Sequence, residues 1–188
     1  MAYPQLLDRK AQSKAYADMT LFTLTRDLHH VCEDHPVGAA MSRGDVPTRW
    51  WADWLSALEA AHRAVDDDAP EPMRCADEIA DDLAATDATP RPNNAAARLA
   101  RHLACNADMR VAAQYVLVGA HLMGGQVVKK RIGDRLPTSH LQLNDRRALF
   151  ETWRPLRDRV DLAEEARQVF RFLYAIMGEI TARDEEAA

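Results

Sequence analysis

Apolar positions recur along most of this chain at steps of three and four, and no segment alternates convincingly with period two. That spacing belongs to amphipathic helices rather than strands. Leu21, Leu24, Leu28 and Val31 mark a first helix, expected over residues 13–34. His35-Pro36 ends it, because the residue before a proline is driven out of the helical region. Residues 37–41 form a short apolar piece, and Gly44-Asp45 a turn. Pro47 suits the opening turn of a second helix, which carries Trp51, Trp54, Leu55, Leu58, Ala61 and Val65 on one side. An acidic break at residues 66–70 closes it. A weaker acidic helix is expected over residues 73–85, a proline-rich loop over 89–94, and a helix over 95–105.

A long apolar helix is expected over residues 108–131, interrupted by Gly119, Gly124 and Gly125, with a loop at 133–144 behind it. The last two helices are expected at 145–157 and 162–183. Leu162, Ala166, Val169, Phe170, Leu173, Met177 and Ile180 give the final one the cleanest stripe in the chain. The pattern predicts an all-α, single-domain bundle of seven or eight helices. Its parts are an N-terminal arm at 1–12, a helical domain at 13–183 and an acidic tail at 184–188.

Composition sharpens this picture. The 188 residues are 47% hydrophobic and 28% charged, enough for a sizeable core in an ordinary globular domain. Only seven glycines are present, which favours helix. A net charge of −5 gives no reason to expect a nucleic-acid or anionic-membrane partner. Cys32, Cys75 and Cys105 are scattered and form no CxxC pair, so a reduced, cytoplasmic setting is expected. The N-terminus lacks the layout of a secretion signal, and no window is apolar enough to span a bilayer. A monomer is the default expectation.

Two segments carry candidate chemistry. TRDLHHVCEDHP, residues 25–36, places Arg26, His29 and Glu33 on one helical face. A neutral imidazole is a common metal ligand whose second nitrogen needs an orienting acceptor, a role Glu33 suits one turn on. His30 points a quarter-turn away. For the histidines alone, a solvated helix end is the plainer reading. GAHLMGGQVVKK, residues 119–130, sets adjacent glycines in an apolar helix, costing roughly 1 kcal/mol each against alanine. Close helix packing or close approach of bare backbone to a flat ligand would compensate. Together, a histidine on one helix and bare backbone opposite would form a slot for a planar macrocycle.

At these residues the chain resembles the heme oxygenase family. Thr25, His29 and Glu33 match its T-x-x-x-H-x-x-x-E pattern, and GAHLMGGQVVKK resembles its L-G-D-L-S-G-G-Q-V-x-K-K distal helix. EEARQVFRFLYAIMGEI resembles its final helix, and the likeness covers most of residues 20–180. The resemblance implies a b-type heme as cofactor and substrate, His29 as the proximal iron ligand and Glu33 beside it. Arg26, Arg154 and Arg157 would meet the propionates, with Tyr115 near them, and Phe170 would line the pocket. Gly124 and Gly125 would touch the heme face and let the helix flex. The implied reaction takes O2 and electrons from a ferredoxin or reductase, and yields biliverdin, carbon monoxide and ferrous iron.

Two positions depart from the pattern. Ala120 stands at a glycine, adding a β-carbon where the ring would press. His121 stands where better-known members carry an aspartate that orders a proton-delivering water network. Some bacterial branches lack that aspartate. His121, Gly124 and Gly125 are therefore the candidate catalytic positions. Two rivals follow: a heme carrier without oxygenase activity, motivated by His121 and Ala120, and a di-iron oxidase drawing on Glu33, His62, Asp66 and Glu164.

The remaining residues have plainer expectations. Trp50, Trp51, Trp54 and Trp153 read as core and edge packing. Cys32 reads as a buried thiol on another face from His29. His62 and Asp66 read as surface decoration, and Asp77, Glu78, Asp81 and Asp82 as a solvated face.

Overall fold

The computed structural model describes residues 19–185, so the expected arm at 1–12 and residues 186–188 of the acidic tail lie outside the described residues. Among the described residues there are nine α-helices joined by short 3-10 turns, and no strand. The first, α1, spans Leu21–Asp34. Thr20 caps it, accepting from the Thr23 amide while the Thr23 hydroxyl oxygen accepts from the Thr20 amide. The helix starts at Leu21, where this cap supplies its terminus; residues 13–18 of the expected helix lie outside the described residues.

His35 stops α1 and starts α2 (Pro36–Arg43): extended backbone ends the first helix, and His35 Nδ1 accepts from the Val37 amide at 3.2 Å. The short apolar piece is thus a helix with proline in its first turn. Gly38 allows the tight corner, since a β-carbon there would collide with the Cys32 carbonyl oxygen. Next come α3 (Thr48–Asp66), α4 (Ala76–Ala84) and α5 (Asn94–Cys105). Arg91 in the proline-rich loop ties α3 to the chain end, reaching buried Asp53 at 2.6 Å and Asp184 at 3.0 Å.

The long apolar helix is two helices, α6 (Ala107–Leu122) and α7 (Gly124–Ile132), with Met123 at the break. The second segment, followed through to Arg135, is bent by 42° from the first. Kinks commonly fall at glycine pairs, and the pair lies just past this one. α6 is buried nearly all round, as a core helix should be. Gly119 serves packing: a β-carbon there would stand 3.0 Å from the Trp153 ring. The last helices are α8 (Arg146–Trp153) and α9 (Ala163–Glu185). α9 runs two residues past its expected end at 183 and packs against α1, α5 and α6, while α2 packs on α7. Among the described residues, no single helix is long and apolar enough to cross a membrane.

Candidate functional site

α1, the α6–α7 break and α9 enclose a cavity of about 320 Å³, lined largely by apolar side chains from Met41, Leu58, Val116, Leu117, Leu173 and Met177. Size and lining suit a mostly apolar ligand with a few orienting polar groups. His29 and Glu33 stand on one wall, while Ala120, His121, Gly124 and Gly125 stand on another; Phe170 lines it too. The structure therefore gathers seven of the candidate residues around one space.

His29 is half-exposed rather than buried, with 39% of its side chain open. Its Nδ1 lies 3.4 Å from Glu33, and its Nε2 has no hydrogen-bond partner among the described residues. Phe170 packs edge-on to its ring at 5.8 Å. Gly124 leaves open space where a β-carbon would be, whereas one at Gly125 would press on the end of Leu141. Of this pair, Gly124 is the one that keeps backbone bare toward open space.

Four expected site residues lie off the cavity wall. Arg26 turns to His30, donating from Nε to Nε2 at 3.3 Å, because one turn separates them on the exposed side of α1. Tyr115 is buried and stacks on Trp153 at 5.5 Å. Burial pushes its phenol up, opposed by a hydrogen bond from Thr25 and by the charge of Arg157. Arg154 and Arg157 are exposed on a 3-10 turn that packs beside α1 and α6.

The plainer expectations need correction in three places. His62 is fully buried, not surface decoration, because it continues the Leu55, Leu58 and Val65 stripe of α3. Asp82 is buried while Asp77, Glu78 and Asp81 are exposed. It accepts from the backbone and side chain of both Ser139 and His140. Burial pushes this carboxyl up, but those hydrogen bonds outweigh it and hold the pKa at about 2. Cys32 is buried as expected yet also lines the cavity; burial and the Glu33 charge raise its thiol to about 11. Trp51 and Trp54 line the cavity as well.

His121 joins the cavity to what lies behind it. Its ring stacks on His62 at 5.1 Å and meets His140 edge-on at 5.5 Å. Burial above all, then the charges of His62 and His140, push its pKa well below the ordinary value, so it is neutral at pH 7. Cys75, His140 and Asp82 were missed as site residues, and His62 was enlisted only for the di-iron rival, because the four come from separate segments. Only His62 left a trace, a polar residue on an apolar stripe.

The fold matches solved structures. A heme oxygenase from Leptospira interrogans superposes with TM-score 0.73 at 16% identity, covering 85% of this chain and 97% of that one. Heme oxygenase-1 of the cyanobacterium Synechocystis, in complex with heme, gives 0.74 at 16% over 89% and 93%. Heme oxygenase-2 of that cyanobacterium, with heme and NO, gives 0.75 at 18% over 89% and 86%. The chain has the heme oxygenase fold. No family model and no curated protein matches it in sequence. The heme oxygenase-like bundle fits the expected single all-α architecture. It also disperses the di-iron set: Glu164 pairs with Arg171 on the surface and Glu33 with His29 and His30, away from buried His62 and Asp66.

Proposed function

We propose that this chain binds heme through His29 and cleaves it oxidatively. The observation that carries the reading is the cavity itself, with an imidazole nitrogen on α1 that has no partner among the described residues and side-chain-free backbone at Gly124 on α7. The two relatives solved with heme supply the ligand class. Heme would bring redox-active iron and the ring to be oxidised, with O2 and an electron-donor protein as co-reactants and biliverdin, carbon monoxide and ferrous iron as products.

This chain's residues divide the remaining work. His29 Nε2 would hold the iron, and Glu33, 3.4 Å from Nδ1 and hydrogen-bonded to His30, would orient the ring. The apolar lining keeps water from the macrocycle, and Phe170 braces the imidazole. Gly124, Gly125 and Ala120 set how closely α6 and α7 approach the opposite face. Arg26, Arg154 and Arg157 are the proposed partners of the propionates, reached by their long exposed side chains. Tyr115 supports α6 from behind through Trp153. His121 faces the cavity neutral, so it offers a lone pair and brings no proton of its own.

Incubation with heme, O2 and a ferredoxin–reductase system tests the reading. Decay of the Soret band with bile-pigment absorbance is the expected result; a persistent Soret band removes ring cleavage. A heme carrier without oxygenase activity is the second reading, favoured by the presence of His121 in the cavity wall. It predicts six-coordinate, low-spin ferric heme that turns five-coordinate in His121→Ala.

A further inference from the structure

Behind the distal wall, His62 on α3, Cys75 at the N-cap of α4 and His121 on α6 bring three ligand-type atoms within 4.8 Å of one another. We propose that they form a second metal site, distinct from the heme position, which takes a borderline-soft divalent cation such as zinc.

The spacing supports this. Cys75 Sγ lies 3.6 Å from His62 Nε2 and 3.6 Å from His121 Nδ1. A tetrahedral centre with Zn–S about 2.3 Å and Zn–N about 2.0 Å sets sulfur and nitrogen ligands about 3.5 Å apart. Both distances match two ligands of one ion, and a third contact, 3.3 Å from Cys75 Sγ to His62 Nδ1, keeps the sulfur against the same ring. His62 Nδ1 lies 3.3 Å from Asp66 Oδ1, so the carboxylate can hold the ring with Nε2 toward the metal. Metal-bound histidines are commonly oriented in this way. Asp66 is itself fixed by the Cys75 and Ala76 amides, at 3.0 and 2.8 Å.

Charge and access agree. A divalent cation beside the Cys75 thiolate and the Asp66 carboxylate makes a neutral, half-buried cluster; the thiol proton leaves to solvent as the ion enters. Cys75 and His121 also line a separate cavity of about 390 Å³, together with Glu78, which offers an entry path and a fourth position for water. Mixed nitrogen and sulfur ligands favour zinc over magnesium or calcium.

The test uses the full chain, stripped with chelator and free of heme, so it is independent of the heme reading. Titration with Co2+ should give a thiolate-to-cobalt charge-transfer band at a single equivalent, with the intense visible bands of four-coordinate cobalt, both bleached by Zn2+. Cys75→Ser should abolish the charge-transfer band, and His62→Gln should weaken binding at least about tenfold. Cys32→Ser and Cys105→Ser should leave it intact. A wild-type chain showing no such band overturns the proposal, and so does a band that survives Cys75→Ser. Should Cys75→Ser lose its helical circular dichroism, the wild-type spectrum and the His62→Gln affinity decide alone.

Discussion

His29 and His121 face one cavity from opposite walls, and they are held in opposite ways. His29 sits half-exposed on α1 with a carboxylate near one nitrogen and, among the described residues, no partner on the other. His121 is buried and fixed by two other histidines and a cysteine. An imidazole that must capture a ligand needs an accessible lone pair, so few contacts hold it and little stability depends on it. An imidazole set among buried polar groups has its position decided by neighbours, each needing a partner of its own. Changes on the first wall should alter binding with little cost in folding; changes on the second should alter folding first.

The largest expected effect is on the open wall. His29→Ala should abolish the axially ligated heme spectrum while thermal stability stays near wild type, and His30→Ala should keep the spectrum. An unchanged spectrum in His29→Ala would remove His29 as the iron ligand.

Next in size is the closed wall, tested through Asp82. The folded pKa of about 2 lies below the ordinary 3.8, so its contribution is present above about pH 4 and disappears as pH falls through about 2. Asp82→Asn should cost about 2 kcal/mol at neutral pH and flatten the stability profile between those values, read by urea denaturation. An unchanged profile would show that His140 needs no such anchor.

Glycines give a smaller contrast. Gly119→Ala should cost about 1–3 kcal/mol by overpacking Trp153. Gly124→Ala meets open space and should stabilise by up to about 1 kcal/mol while weakening heme affinity. Equal effects at the two positions would erase the distinction between a packing glycine and a cavity glycine.

The smallest effect lies at the corner. Burial lowers the His35 pKa below 6.5, so the unfolded chain takes up protons first, and stability should fall as pH drops from about 6.5 through the lower folded value. Protonation also removes the lone pair that caps α2. His35→Asn keeps a cap without a titrating group, and should remove that slope at a cost under about 1 kcal/mol, measured by thermal melts from pH 5 to 8.

What was legible in the sequence follows the same division. The helix stripes, the corner at His35 and the glycine break each rest on a few neighbouring residues, so local pattern exposes them. The segments at 25–36 and 119–130 indicated the two faces of the cavity for that reason. Arg26 was placed with His29 and Glu33 by helical geometry, yet one exposed turn also offered it His30, and spacing alone does not decide between them. The nest of His62, Cys75, Asp82, His121 and His140 draws on α3, α4, α6 and the turn at Ser139–Leu141. No local pattern joins such distant positions; only the packed chain does.

Gln126 spans the α6–α7 break: its Nε2 donates to the carbonyls of His121 at 3.3 Å and Leu141 at 2.9 Å. One amide thus stitches the last turn of α6 to the turn that carries His140. The α6–α7 wall of the cavity and the polar nest behind it consequently share a tie-rod. Any swing of α7 that widens the slot must tug on His140 and its carboxylate anchor, so the breathing of the mouth is geared to the deep interior.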